Sequence, residues 1–467
     1  MNPATQSVAS FIPPTPPLPE VGRDWKRFGR RLRGNILSTW PKEAYEEPVW
    51  RGQLLHRQVL LLNDPDAIHY VMVENVENYR RSPASIRILW PIVGKGLLLA
   101  EGGAWRHQRR TLAPAFAPRA TPIICHHIVR QTQEVLPDLL QKEGIPVDLL
   151  AFFQQLTLEI AGRALFSLET HAFGTQLRSM MAYYGMALSR PSLLDLLFPI
   201  GIPSPRDILR WRFRKQWLGL IDRILDDRLA LPKENAPRDL LDFMLAAKDP
   251  ETGASFTRAM LRDELATLIV AGHETTAVAL FWTLFLIAHL PEEQDKIFEE
   301  VRNIRFEPNK AAEILPILTR CRAVVSEALR LYPPAPVLVR QAIADDHAGR
   351  IAIAAGTLVF IAPWILHRHH RLWQNPNAFD PSRFFPTAPP APRFAYLPFG
   401  AGPRVCIGAQ FALAEATLVL GMLLQLFTIK RSSNEPVIPV SIVTMQPDHP
   451  PCFFLQPRLF AERTRAA

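Results

Sequence analysis

Cys406 is the residue whose neighbours most clearly ask for chemistry. It lies in PFGAGPRVCIGAQFALAEA (398–416). Gly400, Gly402 and Pro403 prescribe a tight, rigid turn in which backbone amides approach a bound atom closely. The cysteine follows at the mouth of an expected helix, where free amides and the positive end of the dipole favour thiolate over thiol. Gly408 lets that helix backbone pass close to a flat partner. The bland alternative is a buried structural cysteine, the usual fate of a lone one. A dinucleotide-binding reading of the glycines fails, because no third glycine completes GxGxxG after a strand.

Three further groups have chemical spacing. AGHETT (271–276) interrupts the longest apolar stretch, LATLIVAGHETTAVALFWTLFLIAHL (265–290). A zinc helix of the HExxH type needs histidine at 277, where Ala277 stands. Gly272 and the threonine hydroxyls favour a local kink instead. Glu327 and Arg330, in SEALRLYPPAP, are spaced i,i+3 on a helical run. Alone they read as a solvated ion pair worth about 0.5 kcal/mol or less. Trp105 and Arg109, in AWRHQRRTLAPAF, share a helix face at i,i+4 and can address one anionic group together.

The elements that carry these groups form one large unit. A length of 467 residues allows roughly three domains, yet no flexible linker or internal repeat divides the chain. Residues 1–22 read as a flexible, proline-rich arm, and residues 23–467 as a single domain. Apolar positions recur at helical spacing over 105–330, for example in LLAFFQQLTLEIAGRALF (149–166). Short β-type runs occur at 59–64 and 351–366, and a last long helix is expected over 407–427. The fold class is therefore mainly α with small β-sheets. The 265–290 stretch is long enough to span a bilayer, but its polar middle fits a buried central helix better.

Composition excludes several classes. The net charge of +9 comes from scattered Lys and Arg, dense only at Lys26–Arg33 and Arg106–Arg110, outside any nucleic-acid module. A basic face for an acidic redox partner or a membrane surface fits better. Four cysteines lie far apart, at 125, 321, 406 and 452, without zinc-ligand spacing or a disulfide framework. The N-terminus has neither a signal peptide pattern nor an apolar span, so no transmembrane anchor and a bacterial cytoplasmic location are expected.

FGAGPRVCIG (399–408) resembles the cysteine loop of the cytochrome P450 superfamily, Phe-Gly-x-Gly-x-Arg-x-Cys-x-Gly, at every fixed position. The resemblance implies the fold of that family, a triangular helical prism with a long central helix over haem b. It implies that Cys406 ligates the haem iron, with Phe399 near the sulfur, Gly400, Gly402 and Gly408 shaping the loop, and Arg404 on a propionate. A thiolate ligand favours cleavage of a bound O–O bond. Glu327 and Arg330 match the family's ExxR pair, completed by Arg383 from Pro381-Ser-Arg383-Phe384 as a buried structural network. AGHETT resembles the central-helix pattern, with Ala271 against the haem and Glu274 and Thr275 as the acid–alcohol pair that delivers protons to dioxygen. Trp105 and Arg109 match WxxxR, and Arg340 stands where the family often has another propionate-binding arginine.

The implied activity is a monooxygenase that hydroxylates or epoxidises a hydrophobic small molecule with O2. Two electrons are implied to come from NAD(P)H through a ferredoxin or flavodoxin with its reductase, because no flavin or iron–sulfur module is evident. A peroxide-driven peroxygenase and a non-catalytic haem sensor or carrier are the alternatives. The presence of Glu274 and Thr275 argues against both. A monomer is expected. The pocket is expected from Ile86–Leu97, the 180–202 region with Phe198, Ile269–Ala271 and Val337–Val339, mostly aliphatic with Trp90 nearby. Fatty acids, terpenoids or similar molecules suit such a lining.

Overall fold

A computed structural model describes residues 11–19, 35–54, 57–167, 173–189, 195, 202–230, 239–246, 248, 253–441 and 443–458. Eight helices frame the site: α1 (Pro83–Val93), α2 (Gly102–Leu112), α3 (Thr121–Leu140), α4 (Leu149–Phe166), α5 (Pro205–Leu229), α6 (Arg258–Ile287), α7 (Thr319–Leu331) and α8 (Ala409–Leu426). Helix α6 is the axis of the core. Thr257 caps its start through the Met260 amide, and α4, α7, α8, α5 and α1 all pack on it. Its residues Asp263–Ile269 and Thr276–Ile287 are all buried. The runs long and apolar enough to cross a bilayer, in α6 and α8, are 72% and 67% buried inside the fold, as core helices are.

A five-stranded sheet stands beside the helices: β1 (Val49–Leu54), β2 (Arg57–Leu62), β3 (Tyr79–Arg81), β4 (Leu338–Ala342) and β5 (Leu358–Ile361). Its order is β1-β2-β5-β4-β3, and only β2 and β5 run parallel. A short hairpin, β6 (Pro439–Ser441) with β7 (Met445–Pro447), reaches back to α6. The expected strand at 59–64 and the last long helix both appear, with ends moved by a few residues.

Of the arm expected over 1–22, the described part is docked. Pro13 and Pro16 are buried, and Phe11 accepts a hydrogen bond from the Phe379 amide at 2.9 Å. Tyr332 donates to the Pro14 carbonyl at 2.8 Å. The basic run Lys26–Arg33 and Phe198 lie outside the described residues.

Candidate active site

The cysteine loop is held by backbone geometry. Gly400 and Gly402 have φ of 71° and 69°, in the left-handed region that favours glycine. A Cβ on Gly402 would lie 2.1 Å from the Met72 carbonyl oxygen, so this glycine also serves a close approach. The Cys406 amide donates to the Phe399 carbonyl at 2.9 Å and closes the loop. Phe399 itself is half-buried against the core. Gly408 caps α8, and the nearest protein atom to a Cβ there is 3.8 Å away, on Phe116. Protein packing alone does not require glycine at 408.

Burial pushes the Cys406 thiol up, while the Gly408 amide and the Arg109 guanidinium pull it back. Burial thus opposes the thiolate expected at the helix mouth, and the amide and guanidinium favour it. Helix α8 begins three residues later, at Ala409. A bound metal ion deprotonates a coordinating thiol outright. Cys406 is nevertheless exposed, so its sulfur is open to a ligand and not packed in protein. Helix α6 shows the same signature. Between its buried flanks, Ala271 is exposed and Thr275 is half-exposed, spaced i,i+4 on one face. Such a notch in a core helix leaves space against these two side chains. The helix stays unbroken there; Thr275 donates to the Ala271 carbonyl at 2.7 Å and Thr276 to that of Gly272 at 3.1 Å.

An arginine cluster stands on the sheet side. The register of β3 with β4 sets Arg81 directly opposite Arg340, an arrangement that is destabilising for like charges. Burial, then Arg340 and Arg404, pull the Arg81 guanidinium down to about 9. Burial and then Arg404 pull Arg340 down to about 10. The nearby carboxylate is Glu101, which pairs with Arg404 at 2.9 Å and is 44% exposed. Arg404 also donates to the Ala100 carbonyl at 2.6 Å and stacks over Trp105 at 4.5 Å. The Arg81 Nε is buried without a hydrogen-bond partner. Three crowded guanidinium groups beside one half-exposed carboxylate fit a dianionic group, and haem carries two propionates. Sequence reading missed Arg81; only the strand register exposes it. Arg109 instead donates to the Val405 carbonyl at 2.9 Å, next to the cysteine.

The ExxR network is closed. Arg330 meets Glu327 with two hydrogen bonds of 2.7 Å, and both side chains are fully buried. Its remaining donors go to the carbonyls of His367 and Pro376 at 2.6 Å and Ala378 at 2.9 Å. Glu327 also takes the Asp380 amide at 2.8 Å and lies 3.5 Å from Arg383. His367, also missed from sequence, joins this network to the cysteine loop. Its Nδ1 meets the Arg330 carbonyl at 3.0 Å, and its Nε2 accepts from the Leu397 amide at 2.8 Å. These partners fix the neutral Nδ1–H tautomer, and burial pulls the ring down to about 3.

Glu274 is tied to the C-terminal hairpin. It accepts from Gln446 and lies 3.5 Å from the Thr444 hydroxyl, both on the β6–β7 hairpin. Burial raises its carboxyl, and hydrogen bonds from Gln446, Thr444 and Gln154 lower it in part. Behind Thr276, Glu415 of α8 is completely buried and pushed well above the carboxylate range.

The family model described as Cytochrome P450 matches residues 13–452. A cytokinin hydroxylase of Arabidopsis thaliana is 33% identical over 78% of this chain and 72% of its own length. A putative cytochrome P450 132 of Mycobacterium bovis is 31% identical over 90% of both chains. The crystal structure of a mutant cytochrome P450DA haem domain superposes with a TM-score of 0.78 at 25% identity, over 97% of this chain and 98% of that one. The chain belongs to the cytochrome P450 family. It is a haem-dependent monooxygenase that uses O2 on a small molecule, with the mainly helical fold of that family.

Proposed function

We propose that Cys406 would hold haem b through its thiolate sulfur, and that the protein hydroxylates or epoxidises a hydrophobic small molecule such as a fatty acid or terpenoid. Haem held by a thiolate supplies dioxygen binding and O–O cleavage. One observation supports this reading above the others: Cys406 and Ala271 are exposed and Thr275 half-exposed, although the stretches of α6 on either side are buried.

Arg81, Arg340 and Arg404 hold the propionates, with Trp105 stacked under Arg404. Arg109 fixes the loop through Val405 and adds positive charge near the sulfur. Phe399 packs by the sulfur, Gly400 and Gly402 set the loop, and Gly408 leaves room for the macrocycle. Glu327, Arg330 and Arg383 keep the loop in place. Thr275 presents its hydroxyl to dioxygen. Glu274, held at the hairpin by Gln446 and Thr444, would relay protons from solvent to the site through its carboxyl. Electrons come from NAD(P)H through a ferredoxin or flavodoxin with its reductase, and the enzyme works as a monomer in the cytoplasm.

The test uses a substrate found by spectral titration with lipids and terpenoids. Thr275→Ala should keep haem and substrate binding while product formed per electron pair falls about a hundredfold. Product formation that stays coupled, or that runs on peroxide alone as well as on electrons, contradicts the assignment.

A further inference from the structure

Arg368 follows directly on His367 in the chain, yet its charge is met quite differently from that of Arg330. Its side chain is among the most deeply buried in the molecule, at 2% exposure. The guanidinium lies over two rings, 3.6 Å from the centre of Trp364 and 5.7 Å from that of Tyr332. Its Nη1 reaches the Trp364 carbonyl at 3.4 Å, a long hydrogen bond. Nε and Nη2 are buried without a hydrogen-bond partner among the described residues.

These two nitrogens share one edge of the guanidinium, the fork that takes a single anionic group side-on. Arg330 shows that use: its Nε and Nη2 each meet Glu327 at 2.7 Å. Arg368 makes no ion pair among the described residues. Glu327, the carboxylate whose field reaches it, is committed to Arg330 and Arg383. Glu47, whose carbonyl meets His369 at 3.1 Å, lies 3.7 Å from Arg371 through a carboxylate that is 53% exposed.

Burial pulls the Arg368 guanidinium down to about 10, which leaves it charged at neutral pH, and Arg330 adds like charge nearby. Stacking on an indole offsets only part of what burying an unpaired cation costs. A further donor stands beside the stack. The Tyr45 hydroxyl accepts from the Trp364 indole at 2.9 Å, and its own proton has no acceptor among the described residues. This phenol also lies within the field of Arg368.

We propose that the Nε–Nη2 edge of Arg368, with the Tyr45 hydroxyl, binds a buried monovalent anion of chloride size. One negative charge cancels the one unpaired cation, whereas a dianion leaves a buried excess. Walls made of Trp364 and Tyr332, 1% and 0% exposed, suit a single atom better than a polyatomic ion. The ion steadies residues 364–368, from which His367 accepts the Leu397 amide that leads to the cysteine loop.

Diffraction at the bromine absorption edge, from crystals of the full-length holoprotein in sodium bromide, tests this. One anomalous peak should lie against Nε and Nη2 of Arg368. In solution, chloride tenfold above its dissociation constant should raise the thermal midpoint by about 3 °C over gluconate at equal ionic strength. Arg368→Met keeps a long apolar side chain without the charge, and its midpoint should be the same in both salts. Tyr45→Phe keeps the arginine and should raise the half-saturating chloride concentration about tenfold. A map without a peak at Arg368, or with water or a protein carboxylate on that edge, overturns the proposal. So does a peak joined to equal wild-type midpoints in chloride and gluconate, which marks an adventitious ion only.

Discussion

Two regions flank the cysteine loop and treat buried charge in opposite ways. Around Glu327 and Arg330, the carboxylate, the guanidinium and three backbone carbonyls meet at hydrogen-bond distance, and both side chains are sealed from solvent. Around Arg81, three guanidinium groups crowd a single carboxylate that is 44% exposed, and one Nε has no partner. The first region is balanced by protein atoms alone and therefore positions. The second is balanced only by a further anion and therefore binds. The two respond to mutation with opposite signs in the protein without haem, which makes the contrast measurable.

The largest effect is expected in the closed region. Glu327→Gln leaves Arg330 charged and buried without its counter-ion, at a cost of about 3–5 kcal/mol. Denaturant unfolding of the haem-free and haem-loaded protein should register the loss in both forms. Loss in the loaded form alone would move Glu327 into the binding region and break the contrast.

The open region should behave otherwise. Arg81→Ala removes repulsion across β3 and β4, so the haem-free protein should keep its stability or gain up to about 1 kcal/mol. Haem transfer to an acceptor protein should accelerate at least tenfold, from the loss of a charge-assisted hydrogen bond worth about 1.5–3 kcal/mol. An Arg81→Ala protein that unfolds like Glu327→Gln would erase the distinction.

Near neutral pH the smallest effect is that of His367, which links the closed region to the loop. Its folded-state value lies near 3, below the ordinary 6.5. Above 6.5 neither the folded nor the unfolded ring is protonated, and His367 adds no penalty. As pH falls from 6.5 towards 3, the unfolded chain gains a proton that the folded one refuses, and stability is lost progressively. His367→Gln keeps an acceptor for the Leu397 amide without a titrating ring. Its thermal midpoint should fall less steeply than that of the wild type across this window; parallel curves would contradict the link.

What could be read from sequence follows from how far apart the partners lie along the chain. The cysteine loop spans ten residues, and its glycines act on their own backbone, so the turn was legible. Glu327 and Arg330 are one helical turn apart, and Ala271 and Thr275 likewise share a face by periodicity alone. Arg81 and Arg340 meet only because β3 and β4 pair in one register, which no local pattern announces. His367 draws its meaning from Arg330 and Leu397, far away in both directions. The dipole at the helix mouth is likewise visible in sequence, whereas the desolvation that opposes the thiolate is a property of packing.

The central claim is that Cys406 is the iron ligand, and the reduced carbon-monoxide difference spectrum of Cys406→Ser tests it most directly. The wild-type protein should show the red-shifted Soret band of a thiolate-bound haem, and the variant should lose that band while any haem it retains absorbs at shorter wavelength. A Cys406→Ser protein that keeps the red-shifted band would contradict the account.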